Sequence, residues 1–366
     1  MKKTTALTLG AIAFAAPALI NDAKAADDAR VYYDNGVKIE APAQGFSTQL
    51  NTLIINSYTF ESNDGAKDKS NFDVNEARLS LKGTVLDKQF TYFLNGDFVG
   101  DKDESGKNTA ALKDAWIQWN PCDIVQVRLG QWSTTFTRQQ PLTDNMTMFP
   151  KDSIATSEFG LGRNTGVAVL GSDGKLEYAV GVNNGESEGE GESRPGQDTD
   201  LTGLGYVAFS DNYDRKTESD VKQTSGMGWT TGMSWAYSEA ETAELSGNAF
   251  SLTGDVGMKS EGLSLIAEIM WRTVDLDDYD STIDDLGYYV EAGYFFAPKE
   301  WEVAGRFSAV NYDSSGDEYE YNVFLNRYLN GNNLKVQTGV TFLDHSPEEG
   351  DSTQDTRYQM YVSGYF

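Results

Sequence analysis

The stretch Leu263-Ser264-Leu265-Ile266-Ala267-Glu268-Ile269-Met270-Trp271-Arg272-Thr273 alternates with a period of two. Leu263, Leu265, Ala267, Ile269 and Trp271 share one face; Ser264, Ile266, Glu268, Met270 and Arg272 share the other. Successive side chains point to opposite faces of a strand, whereas an amphipathic helix repeats every ~3.6 residues. Met227–Tyr237 and Arg357–Phe366 repeat the pattern, with large apolar groups on one face and small, polar or charged groups on the other. About sixteen such segments begin near Phe46, Phe72, Phe90, Leu112, Ile124, Asn164, Lys175, Leu201, Gly226, Ala249, Leu263, Leu286, Trp301, Tyr319, Leu334 and Thr356. Many have the roughly 9–11 residues that a tilted transmembrane strand needs.

The connections differ in length. Gly171–Gly174, Ser260–Gly262, Ala297–Glu300 and Asn330–Asn333 are short and rich in turn residues. Asn184–Asp200, Asp275–Asp285 and Asp344–Asp355 are long and acidic. A soluble β-sandwich also alternates, but it has no means of covering an aromatic outer face while wetting a charged inner one. A closed barrel in lipid meets both demands, and free strand edges in lipid are too costly to leave open. The expected fold is therefore all-β, a 16-stranded antiparallel transmembrane β-barrel with short periplasmic turns and long extracellular loops.

Composition narrows the function. The 366 residues include 29 Lys plus Arg against 56 Asp plus Glu, a formal charge of −27. Phosphate backbones need a basic surface, so a nucleic-acid partner is excluded. With one His and one Cys, neither a disulfide within the chain nor a Cys-rich zinc site can form, and no metal or cofactor is expected. Eighteen Phe, 19 Tyr and 7 Trp are too many for a disordered chain. Lys2 and Lys3, an apolar run from Ala6 to Ile20 and Ala23-Lys24-Ala25 read as a signal peptide over residues 1–25. Its removal takes away three lysines and one aspartate and leaves −29 on residues 26–366. Residues 26–45 are expected to be a periplasmic N-terminal segment ahead of the barrel.

Alternation also assigns the lumen. Arg78, Lys82, Arg128, Lys259, Arg272, Arg306, Lys335 and Arg357 fall inward with Glu76, Asp97, Asp114, Glu177, Asp255, Glu268, Glu291 and Glu302. The wall is then nearly neutral, and the excess negative charge lies in the loops. Those loops read as solvated rim, or as carboxylates bridging divalent cations to lipopolysaccharide. Residues 131–163 differ: apolar and near-neutral, with Arg138, Lys151 and Arg163 facing Asp144, Asp152 and Glu158. A segment that buries itself needs such a composition, so this one is expected to fold into the barrel and narrow the pore.

Phe72-Asp73-Val74-Asn75-Glu76-Ala77-Arg78-Leu79 with Lys82-Gly83, Gly96-Asp97-Phe98, Leu112-Lys113-Asp114-Ala115-Trp116-Ile117, Arg128-Leu129-Gly130-Gln131-Trp132 and Leu325-Asn326-Arg327-Tyr328-Leu329 resemble the phosphate-selective porin family of the O and P type. The resemblance runs from about Phe46 to Phe366. It implies a homotrimeric outer-membrane barrel with an inward third extracellular loop, and basic residues that guide anions. Carried over by position, Arg78, Arg128, Arg138, Arg163 and Asp97 mark the constriction, joined by Lys82, Asp114 and Lys151 as pore-lining candidates. Gly130-Gln131-Trp132-Ser133 stands where the family has Gly-Gln-Phe-Lys, so a lysine is lost and phosphate preference stays open. The reading is a porin for passive diffusion of small hydrophilic solutes and ions. A receptor or adhesin barrel using its acidic loops is the alternative. An enzyme would have to rely on His345 within Asp344-His345-Ser346, with no nucleophile on a strand in obvious reach, so no catalytic residue is assigned.

Overall fold

A computed structural model describes residues 29–366 except 64–66, 100–108, 123, 185–200, 242–245, 277–280, 314 and 348–351. The stretch 1–25, expected to be a signal peptide, and nearly all of the acidic connection 184–200 lie outside the described residues.

A hairpin of β1 (Arg30–Tyr33) and β2 (Val37–Ala41) precedes sixteen longer strands. These are β3 (Phe46–Asn63), β4 (Lys69–Val85), β5 (Phe90–Asp97), β6 (Ala111–Cys122), β7 (Val125–Ser133), β8 (Arg163–Ser172), β9 (Leu176–Asn184) and β10 (Leu201–Asp211). They continue as β11 (Gly228–Glu241), β12 (Ser246–Ser260), β13 (Leu263–Leu276), β14 (Ser281–Ala297), β15 (Trp301–Tyr312), β16 (Gly316–Tyr328), β17 (Leu334–Ser346) and β18 (Thr353–Tyr365). Each pairs antiparallel with its sequence neighbour, and β18 closes the barrel on β3 in a register running from Asp355–Asn63 to Tyr365–Leu53.

Strand β3 begins before β18 reaches it. Its first residues, Phe46–Leu50, pair with β2 instead, so the hairpin within 26–45 covers an edge that would otherwise leave backbone groups bare. The faces follow the alternation. Val256, Ile269, Val290 and Val323 are each more than half exposed, whereas Ser264, Glu268, Ser308 and Asn326 are buried. An apolar outer belt of this kind suits lipid and not water.

Three sequence expectations shift. The described residues of the stretch 275–285 are ladder rather than loop, with Asp284 and Asp285 pairing with Thr273 and Arg272. Asp344 and His345 likewise belong to β17. The long inward segment is shorter than expected at 134–162, because β7 and β8 pair as far as Ser133 and Arg163. It carries one short helix, α1 (Ile154–Phe159), whose cap is the Ser153 hydroxyl accepting from the Thr156 N–H at 3.0 Å.

Candidate functional site: a half-filled lumen

The loop 134–162 crosses the lumen and fills one side of it. Met148, Phe149, Ala155 and Phe159 pack with Ile266, Met270, Tyr289, Ala304, Val310 and Phe324 of the wall into a dry apolar cluster. Ile266 and Met270 alternate with Ser264, Glu268 and Arg272 on the inward face of β13, and the loop is the reason these two positions are apolar. Burying each large side chain contributes ~1.5–3 kcal/mol. Room comes from small residues on β14. A Cβ on Gly287 would meet the Phe159 ring at 2.6 Å, and one on Gly293 would strike the Met148 sulfur.

A buried loop must also satisfy its backbone, and the charged wall does so. Glu268 accepts from the Arg138 backbone N–H at 3.0 and 3.1 Å. Asn326 and Gln337 donate to the Met148 carbonyl, each at 2.9 Å. The Lys335 ammonium donates to the Thr147 carbonyl at 2.5 Å. Arg306 donates to the carbonyls of Lys151 at 2.9 Å and Asp152 at 3.1 Å. Much of the inward charge expected to face water is thus consumed by the loop. Asp152 itself is pushed up to about 7 by burial, with the Asp144 and Glu218 carboxylates adding to the rise and Arg306 and Arg163 opposing it.

A second segment enters from the opposite rim. Residues 212–227, between β10 and β11, sit at the short-turn end yet run for 16 residues; the sequence reading passed over them. Thr217, Glu218, Ser219 and Asp220 are all buried. Glu218 receives the Gln139 amide at 2.9 Å and the Met148 N–H at 2.6 Å, so the two inserted segments meet on one carboxylate. Arg215 forms a two-pronged pair with Asp255 at 2.9 and 2.8 Å. Lys259 donates to the carbonyls of Asp214 and Thr217.

The other side of the lumen stays open. A cavity of about 690 Å³ lies between the wall of β3–β6 and the loop residues Pro141 and Thr143. Lys38, Arg78, Lys82 and Lys216 line it, and no carboxylate does. Arg78 is held by Glu76 and, at 3.6 Å, by Asp97; Lys38 pairs with Glu40 at 3.0 Å. Among the described residues, Lys82 and Lys216 have no carboxylate within salt-bridge distance. Charged groups whose fields are not cancelled locally set the potential that a permeating ion meets.

The sequence candidates therefore separate. Arg78 and Lys82 line the cavity. Asp97, buried, also accepts from the backbone of Ala77 and Val99 at 3.1 and 3.0 Å. Asp114 accepts from Asn95 at 2.9 Å and faces Arg163 at 3.5 Å. Arg128 donates twice to Gln118, at 3.0 and 2.8 Å, and stacks 4.2 Å above the Trp116 ring. Arg138 is buried between the Tyr213 hydroxyl at 2.8 Å and Asp255 at 3.6 Å. Lys151 is exposed beside a separate small cavity lined by Arg306, Glu320 and Arg357. Lys38 and Lys216 were missed, although an unusually long connection at a short-turn position was countable from the strand order. His345 lies on β17 with its Nδ1 3.3 Å from Glu318, half exposed.

A closed sixteen-stranded barrel with an apolar belt and a lumen narrowed by an inward loop defines a channel of the porin class. The profile of the family described as phosphate-selective porin O and P matches residues 50–359, and the chain belongs to that family. Its fold is similar to the anion-selective porin of Comamonas acidovorans, with a TM-score of 0.64 and 15% identity over 88% of this chain and 100% of that one. The outer membrane channel DcaP of Acinetobacter baumannii gives 0.62 and 12% over 88% and 98%. The trimer form of OmpT from Vibrio cholerae gives 0.58 and 9% over 88% and 99%. No curated protein sequence matches the chain.

Proposed function

We propose that this porin prefers anions, and that solutes cross the open half of the lumen past Lys82 and Lys216. The supporting observation is the composition of the 690 Å³ cavity, four cationic side chains and no carboxylate. Arg78 and Lys82 carry over from the sequence reading as path residues, with Asp97 holding Arg78. Arg128, Arg138, Arg163 and Asp114 act as framework, because Arg128 is hydrogen-bonded to Gln118, Arg138 to Tyr213 and Asp114 to Asn95, while Arg163 faces Asp114 at 3.5 Å. A tight phosphate trap needs several guanidinium forks converging on one point; here they are engaged elsewhere, which favours a weak field over a binding site. The anion-selective neighbour supports the same direction. Export by the signal peptide 1–25, a homotrimer like the trimeric neighbour, and contact of the acidic loops with lipopolysaccharide complete the proposal.

The test is the reversal potential of the purified protein in a planar bilayer under a KCl gradient at ~0.1 M, where the Debye length is about 10 Å. A potential of the sign that marks chloride as the more permeant ion is expected. A cation-favouring potential would overturn the reading.

A further inference from the structure

Resting on that anion-preferring reading, we propose that the open half of the lumen selects organic anions carrying an aromatic ring over inorganic phosphate. Across β4, β5 and β6, Lys82 pairs with Phe93 and Phe93 with Trp116. The three side chains form a row along one side of the cavity. The Phe93 and Trp116 rings lie 5.7 Å apart at a 45° tilt. Leu53 and Tyr365 add apolar surface to the same cavity. At the far end of the row, Arg128 covers Trp116 and sets a second cation behind the rings.

The chemistry of this row is specific. A small, strongly hydrated anion gains nothing from aromatic surface and must shed water to approach it. An aryl carboxylate can lay its ring beside Phe93 and Trp116 while its carboxylate reaches the Lys82 ammonium. Ring contacts contribute beyond the area they bury. The cavity volume also lies in the range that small-molecule sites occupy, roughly 300–1,000 Å³, well above what one phosphate fills.

The experiment follows block of chloride current in planar bilayers by benzoate, acetate and inorganic phosphate added separately to the full chain. Half-block by benzoate is expected at a concentration about tenfold below that of acetate or phosphate. Phe93→Ala and Trp116→Ala should each bring benzoate to the acetate level. Where truncation prevents insertion, Phe93→Leu keeps the apolar bulk and removes the ring. Equal block by benzoate and acetate, or stronger block by phosphate, in a chloride-favouring pore would overturn this inference alone. A cation-favouring pore would overturn the anion reading beneath it as well.

Discussion

Excising residues 136–160 and joining Thr135 to Leu161 through Asn-Gly is expected to raise the single-channel conductance several-fold. The ends are already adjacent, since the Thr134 N–H donates to the Gly162 carbonyl at 3.0 Å, and Asn-Gly suits a two-residue hairpin. The β7–β8 ladder, from Gln126–Leu170 to Ser133–Arg163, does not depend on the loop. A barrel of sixteen strands leaves an open aqueous channel wherever no segment fills it, so with 212–227 still in place the part of the lumen now occupied by the apolar cluster becomes conducting. Glu268, Arg306, Lys335, Asn326 and Gln337 then lose loop partners but gain water. Thermal stability should fall with the lost packing of Met148, Phe149 and Phe159, and the barrel should still insert. Unchanged conductance would mean that the loop does not limit the path.

Replacing Lys82 and Lys216 together by glutamate is expected to reverse ion selectivity. Arg78 and Lys38 sit beside carboxylates that offset them, so the field in the cavity comes mainly from the two lysines that have no such partner among the described residues. The double variant changes four charge units in a confined space with low-dielectric walls, where fields are focused. The KCl reversal potential should change sign. Lys151→Glu, on an exposed loop position outside that cavity, should move it much less. If the double variant and Lys151→Glu shift it equally, the path does not follow the basic cavity.

Much of this barrel was legible because strand geometry writes itself as period two. Segment starts fell within a few residues of the observed strands, since a register slip of one would turn every apolar face inward. The inward loop was legible from composition, as burial excludes unpaired charge. The dry half of the lumen was not. Alternation says which side chains point inward, but not whether water or another segment meets them there. The clues were the exceptions: Ile266 and Met270 among polar inward neighbours, and Gly287 and Gly293 where wall side chains would collide with the loop. The segment 212–227 was missed because its composition is as polar as any solvated turn. Only its length at the short-turn rim marks it. Buried polar residues such as Glu218, which latches it to the loop, look identical in sequence to exposed ones.

The most direct measurement asks where solute passes. In a Cys122→Ser background, Lys82→Cys and Ser308→Cys place single thiols on the two sides of the inserted loop. Lys82 faces the open cavity, and Ser308 is fully buried against the Ala155 N–H at 3.2 Å. A charged, thiol-reactive methanethiosulfonate reagent added during recording should reduce current through Lys82→Cys within seconds and leave Ser308→Cys unaffected. Fast block at Ser308→Cys with none at Lys82→Cys would contradict a path through the basic half of the lumen.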